Sequence, residues 1–248
     1  MSVPTELILK LLAPNELAKR IDHAVLKPSA GEKDLIKAVD ELERLNLRCL
    51  ILSPTLLREA RSLTRRCLGA VAGFPNGYGA LEAKIKELED IIAYGANEVD
   101  YVANIQQLLL GNKDKFINEL KAVGEICRDT GITCKVIIET PILDDPNEIY
   151  RVTRMIADTV EGIDYIKTST GFAPRPTYPE DVLAIRRALM DVGSRIGIKA
   201  AGGIRTALQA LLMINLGADI IGTSSPVKIL SGLSGLVALF TKQTLGVK

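Results

Sequence analysis

Short apolar runs alternate along this chain with longer segments whose apolar residues recur at helical spacing, and that alternation predicts successive βα units around a parallel sheet. Eight runs read as strands, at roughly Ile21 to Val25, Arg48 to Ser53, Gly69 to Phe74, Glu98 to Ala103, Thr133 to Glu139, Ile163 to Ser169, Ile196 to Ala201 and Asp219 to Thr223. Several are apolar at consecutive positions, as expected of strands covered by helices on one side and a packed interior on the other. Between them, Leu81, Ile85, Leu88 and Ile92 fall on one helical face, as do Phe116, Leu120, Val123 and Cys127, with charges on the opposite faces. Gly95, Gly131, Gly162 and Gly217 each stand between a helix and the next strand, where a left-handed C-cap suits glycine.

Eight parallel strands close a barrel, so the expectation is an α/β fold: a single (β/α)8 barrel, one domain over residues 1–248, with one extra helix at each end. The C-terminal helix is read from Ile229, Leu230, Leu233, Leu236, Val237 and Phe240, beyond Pro226. A doubly wound open sheet uses the same units. No GxGxxG follows the first strand, however, and the strand count favours closure.

Composition narrows the partners. Hydrophobic residues make up 47% and charged residues 25%, enough for a large core and no case for disorder. The formal charge of +1, from 31 basic and 30 acidic residues, supplies no field for a polyanion, so nucleic acid is not an expected partner. Leu7 to Leu12 is too short to span a membrane and follows Glu6 rather than a basic region, so a cytoplasmic protein is expected. The four cysteines, Cys49, Cys67, Cys127 and Cys134, show no CxxC spacing and read as free, buried thiols. A single histidine, His23, argues against a catalytic zinc site, which usually recruits two or three.

In a β/α barrel the reacting groups sit at the carboxyl ends of the strands. There the chain offers Asp22, Asp100 with Asn104 beyond it, Lys135 with Glu139, Lys167 and Lys199. Alternation places Asp100, Val102 and Asn104 on one face, and Lys135, Ile137 and Glu139 on one face. Lys167 ends an apolar run and opens Lys167-Thr168-Ser169-Thr170-Gly171-Phe172. An ammonium there is desolvated, which favours a neutral, nucleophilic amine and Schiff-base chemistry. If Lys199 came close, each ammonium would oppose the other's charge. Taken singly, either lysine reads as a surface residue at a strand end, and Lys135 with Glu139 as a structural ion pair. Gly202, Gly203 and Arg205 after the seventh strand, with Ser224 and Ser225 after the eighth, have the composition of a phosphate cradle, although each glycine turn alone could be an ordinary tight turn.

These residues carry a resemblance from Ile21 to Ser225. Ile21-Asp22-His23-Ala24-Val25-Leu26-Lys27-Pro28, Gly73-Phe74-Pro75-Asn76-Gly77, Glu98-Val99-Asp100-Tyr101-Val102, Val136 to Thr140, Lys167 to Phe172, Lys199 to Thr206 and Gly222 to Ser225 stand in the order of the deoxyribose-phosphate aldolase family, and the chain resembles its class I members. The resemblance implies a β/α barrel that reversibly cleaves 2-deoxy-D-ribose 5-phosphate to glyceraldehyde 3-phosphate and acetaldehyde, without metal or organic cofactor. It implies Lys167 as the Schiff-base lysine, Lys199 as its perturbing neighbour and Asp100 as the proton shuttle. Asp22 matches a residue near the substrate hydroxyls, and Gly202, Gly203, Arg205, Ser224 and Ser225 match the phosphate region. Lys135 and Thr170 complete the substrate-binding set. The expected partners are a phosphosugar and aldehydes, together with copies of the chain itself in a dimer or tetramer. Ile51, Ala24, Ala201, Phe172 and Pro226 depart from the family pattern at positions where relatives commonly carry cysteine, threonine, serine, lysine and glycine.

Two other functions fit the same residues: a related class I aldolase or phosphosugar lyase with a different acceptor, and a non-catalytic phosphosugar sensor on the same barrel. Binding alone needs no amine nucleophile, so Asp100, Lys167 and Lys199 together weigh against the sensor.

Overall fold

The computed structural model describes residues 13–244, with side chains through Gly235. In chain order it runs α1 (Pro14–Ala18), β1 (Ile21–Val25), α2 (Glu32–Arg44), β2 (Cys49–Leu52), α3 (Pro54–Ala60), β3 (Leu68–Ala72), α4 (Leu81–Ala93), β4 (Glu98–Val102), α5 (Ile105–Leu109), α6 (Lys113–Thr130), β5 (Thr133–Ile137), α7 (Thr140–Leu143), α8 (Pro146–Thr159), β6 (Tyr165–Lys167), α9 (Pro179–Asp191), β7 (Gly197–Ala201), α10 (Ala207–Asn215), β8 (Ile220–Thr223) and α11 (Pro226–Thr244). Each strand pairs in parallel with its sequence neighbours and β8 closes on β1, giving the (β/α)8 barrel.

Local chemistry sets many of the boundaries. Pro54, Pro146, Pro179 and Pro226 stand at helix starts, where the missing N–H has no intrahelical partner to lose. Thr206 and Gln209 form a capping box on α10, and Gly131 ends α6 in the left-handed region at φ 71°. Of the predicted terminal stripe, Ile229, Leu230 and Leu233 are buried, while Leu236, Val237 and Phe240 lie outside the described side chains, as Leu7 to Leu12 lie outside the described residues.

The register decides what faces inward. Asp22 pairs with Cys49, Gly69 with Glu98, Asp100 with Lys135 and Lys167 with Lys199, so one alternate set lines the interior. The other set, including Leu50, Val99, Tyr101, Val136, Ile166 and Ile198, joins the core between strands and helices. Sequence patterning overextends several strands, and β3 ends at Ala72 rather than Phe74 as Gly73 turns into the left-handed region at φ 65°. β5 stops at Ile137 because Glu139 turns into the left-handed region at φ 46°, and β6 is confined to Tyr165–Lys167. Among the described residues, no helix is long and apolar enough to cross a membrane.

One expectation fails. Cys127 and Cys134 are free and buried, but Cys49 and Cys67 form a disulfide. Leu50 pairs with Leu68 across β2 and β3, so the residues just before them are brought to a Cα separation of 4.7 Å, within disulfide range. A sequence separation of 18 residues shows no motif, because the contact is made by strand register. Closing a loop of that length predicts that Cys67→Ser lowers unfolding stability by about 3 kcal/mol. Urea unfolding checks this, and an unchanged midpoint under non-reducing conditions contradicts it.

Candidate active site

The barrel interior is charged. Asp22 from β1, Glu98 and Asp100 from β4, Lys135 from β5, Lys167 from β6 and Lys199 from β7 are all buried. The centre is Asp100 Oδ2, which accepts a hydrogen bond from Lys167 Nζ at 2.7 Å and another from Lys199 Nζ at 2.7 Å. The two amines thus face each other across one carboxylate oxygen. Lys135 Nζ lies 3.3 Å from Asp100 Oδ1 and also donates to Glu98. Asp22 Oδ2 is 2.6 Å from Lys199 Nζ, and Asp22 Oδ1 is 3.1 Å from Arg48 Nη1. Neither Asp22 oxygen has a hydrogen bond of good alignment, so its hold on the network is Coulombic.

Sequence reasoning missed two members, Arg48 and Glu98. Arg48 enters from the amino-terminal end of the barrel and grips Glu98 through both terminal nitrogens, at 2.7 Å and 2.5 Å from Oε1. The signal for Glu98 was present, since it stands two residues before Asp100 on the same strand face. Arg48 gave none beyond its place at the head of a strand. The anticipated Lys135 to Glu139 pair does not form. The turn at Glu139 aims its carboxylate at Thr170, which donates from its backbone N at 3.1 Å and from Oγ1 at 2.5 Å.

The network holds one more cation than carboxylate: Arg48, Lys135, Lys167 and Lys199 face Asp22, Glu98 and Asp100. Buried charge is tolerated when it is matched, so the cheapest proton to release belongs to the worst-compensated cation. Lys167 fits. Burial lowers its pKa most, Asp100 opposes this, and Lys199 and Lys135 lower it further, giving about 8 against the ordinary lysine value of 10.5. Lys135 shifts the other way: burial opposes its charge, but Asp100, Asp22 and Glu98 together raise its pKa. Burial likewise opposes the charge of Asp100, yet Lys167, Lys199 and Lys135 hold its carboxyl well below the usual range.

Lys167 alone of the six inward-facing charged groups also lines the cavity at the carboxyl ends of the strands. Asp100, Lys199, Lys135 and Asp22 stand behind it. Around the rim the cavity is lined by Thr170, Gly202, Gly203, Arg205, Ser224 and Ser225, so the predicted phosphate turns and the amine share one space. Gly202 and Gly203 have φ of 100° and 78°, and a Cβ on Gly203 would lie 2.5 Å from Pro176 Cβ, so both turns require glycine. The loop after β6 is fixed: Thr168 Oγ1 donates to the Ala201 carbonyl at 2.9 Å, and Arg175 pairs with Asp144 and Asp181.

The departures from the family pattern occupy definite places. Ala24, Ala201, Phe172 and Pro226 line the cavity, and Ile51 packs inside the barrel with Cys49 and Val71. Phe172 is 51% exposed and packs edge-on against Phe74 at 5.2 Å, giving that side of the mouth an aromatic lip in place of a cation.

Among the described residues, the group able to offer three metal ligands is Cys49, Cys67 and Glu98. Both sulfurs are joined in the disulfide and Glu98 is held by Arg48 and Lys135, so this donor set does not suit a metal.

A fourth buried lysine supports the site from outside the barrel. Lys84 Nζ donates at 2.7 Å to the carbonyls of Gly77 and Val102 and to Glu119 Oε1, and it lies 4.4 Å from the Tyr101 ring centroid. It ties the loop carrying Phe74 to the end of β4, the strand that carries Asp100.

A β/α barrel that gathers its ionisable groups around one cavity-lining amine has the build of a barrel enzyme. Residues 17–215 match the DeoC/LacD family aldolase, and the chain belongs to that family. The deoxyribose-phosphate aldolase of Bacteroides thetaiotaomicron is 36% identical over 232 residues, covering 92% of this chain and 95% of its own. That of Caldicellulosiruptor saccharolyticus is 38% identical over 224 residues, with 89% and 99% covered. Among solved structures, the tetrameric deoxyribose phosphate aldolase of Aeropyrum pernix superposes with a TM-score of 0.84 at 30% identity, covering 95% of this chain and all 100% of its own.

Proposed function

We propose that the protein is a class I, Schiff-base aldolase that reversibly cleaves 2-deoxy-D-ribose 5-phosphate to D-glyceraldehyde 3-phosphate and acetaldehyde in deoxyribonucleoside catabolism. The observation that carries this reading is the pair of amines, Lys167 and Lys199, each 2.7 Å from one oxygen of Asp100, with only Lys167 open to the cavity.

Neutral Lys167 adds to the C1 carbonyl of the open-chain sugar, and water leaves to form an iminium. The iminium withdraws the C2–C3 bonding pair while the C3 hydroxyl loses its proton, releasing glyceraldehyde 3-phosphate and leaving an enamine on Lys167. Asp100, acting through Lys199 and a water, delivers a proton to the enamine carbon, and hydrolysis frees acetaldehyde and the amine. Gly202, Gly203, Arg205, Ser224 and Ser225 hold the phosphate, and Thr170 borders the sugar. We assign Asp22 and Lys135 to support of Lys199 and Asp100 from behind. No metal or organic cofactor is assigned, and a cytoplasmic location is part of the reading.

The test is acetaldehyde release from deoxyribose 5-phosphate, with ketose phosphates as alternatives and with chelator present. Release from ketose phosphates alone moves the assignment to a related aldolase, and loss of activity in chelator overturns the metal-free route.

Because addition needs the neutral amine, kcat/KM is expected to rise about tenfold per pH unit below pH 8 and to level off above it, following the Lys167 pKa of about 8. Stability follows the same group. Between about 8 and 10.5 the unfolded chain binds a proton that the folded chain has released, so the contribution of Lys167 to stability rises with pH across that window. A pH–rate profile that is flat from pH 6 to 9 contradicts the assignment.

The Aeropyrum pernix relative is a tetramer. On this chain Leu208 and Leu212 are exposed one turn apart on α10, and we extend the reading to a homo-oligomer, dimer or tetramer, packed through helices. Light scattering that returns the monomer mass overturns that extension.

A further inference from the structure

The cavity over Lys167 is larger than the proposed substrate requires. Its volume of about 1210 Å³ exceeds the roughly 300 to 1,000 Å³ of ordinary small-molecule sites. A five-carbon sugar phosphate engages the side that runs from Lys167 to the glycine and serine turns. The rest of the space continues past β1 to α2 and the start of α11, where Lys27, Lys37 and Lys228 line it.

With Arg205, these make four cations on the outer wall, against the carboxylates of Asp34 and Glu41. Asp34 already accepts a hydrogen bond from the Gly31 backbone N at 3.0 Å. Glu41 lies 3.8 Å from Lys37 Nζ and 3.5 Å from His23 Nδ1. The balance of the wall is therefore positive, and three of its four cations, Lys27, Lys37 and Lys228, stand on the α2 and α11 side rather than in the glycine turns.

His23 belongs to the same side of the cavity. His23 is 5% exposed and lines the cavity, yet its Nδ1 has no hydrogen-bond partner, the Glu41 oxygen being too distant for a good one. Buried polar atoms without partners are uncommon because each forfeits its hydration. Burial, and then the charge of Lys37, lower the pKa of His23 to about 4. At neutral pH the ring therefore adds no charge to this wall.

We propose that the α2 side of the cavity is a second anion subsite, so that the site takes a ligand bearing a diphosphate, with one phosphoryl group in the glycine and serine turns and the other among Lys27, Lys37 and Lys228. This rests on the phosphosugar reading and deepens it. Such a ligand lies across the phosphate subsite and competes with the sugar phosphate for it.

The experiment is calorimetric titration of the full chain with inorganic phosphate and with inorganic pyrophosphate, in metal-free buffer at constant ionic strength, alongside inhibition of acetaldehyde release. Pyrophosphate is expected to bind at least ~10-fold more tightly than phosphate and to inhibit competitively. In a Lys27→Ala, Lys37→Ala double variant that advantage is expected to shrink to about threefold or less, while the phosphate Kd and the KM for deoxyribose 5-phosphate stay unchanged. Both side chains are on the surface, that of Lys37 76% exposed, so the double variant should fold. Equal affinity for the two anions, or an advantage that survives the double substitution, overturns the second subsite. Phosphate that binds without competing with the sugar phosphate overturns the phosphosugar reading instead.

Discussion

Lys167→Met is expected to abolish borohydride-trappable acetaldehyde and to lower kcat/KM by ~10⁴-fold or more, equivalent to about 5.5 kcal/mol of transition-state stabilisation. The reason is that no other described amine lines the cavity floor: Lys199 and Lys135 are buried behind Asp100 and already paired with carboxylates. The variant should nonetheless fold as well as the parent. Lys167 is the surplus cation of the interior, so replacing it with a flexible apolar side chain leaves Arg48, Lys135 and Lys199 balanced by Asp22, Glu98 and Asp100. An unfolding midpoint at or above that of the parent, together with lost trapping, separates chemistry from structure. Peptide mapping of the trapped parent should place the ethyl group on Lys167, and an ethyl group on Lys199 would reverse the two roles.

Asp100→Asn should do the opposite to stability. Asp100 is the common partner of Lys167, Lys199 and Lys135, and a neutral amide leaves three buried amines without their shared counterion. Breaking a buried ion pair from one side typically costs about 3–5 kcal/mol. Loss of the proton relay should also reduce kcat by about 10² to 10⁴-fold. The pH profile gives an independent readout. Asp100 raises the pKa of Lys167 against the effect of burial, so its removal should move the ascending limb of the residual activity below pH 8. An ascending limb that stays in place, with stability intact, would show that the carboxylate is not the electrostatic centre of the site.

How much of this was legible in the chain depends on the range over which each feature is decided. The strands, the helical stripes and the stops at Gly131 and Pro226 follow from local period and local backbone preference, which act within a few residues. The end of β5 is hidden because apolar character continues past the point where the backbone turns, and at Glu139 the turn is stabilised by a partner, Thr170, from the loop after β6. The shared face of Asp100 and Asn104 could be read from strand alternation, and Lys167 and Lys199 stood out at the ends of apolar runs, whereas the Arg48 to Glu98 clamp and the Cys49 to Cys67 bridge could not be read. The bridge joins residues that the register of β2 on β3 brings side by side, and the clamp joins the head of β2 to β4, with β3 lying between them.

The sequence by itself determined the eight-unit barrel, the strand ends that bear ionisable groups and the glycine and serine turns beside them, since these depend on period, alternation and residue type. Only the tertiary structure decided which charges meet. Closure of the barrel brings β4, β6 and β7 around a common axis, sets two amines on one oxygen of Asp100 and leaves four cations to three carboxylates. An amine's basicity depends on distances to every neighbouring charge and on its exclusion from water, and those quantities exist only once the strands have closed.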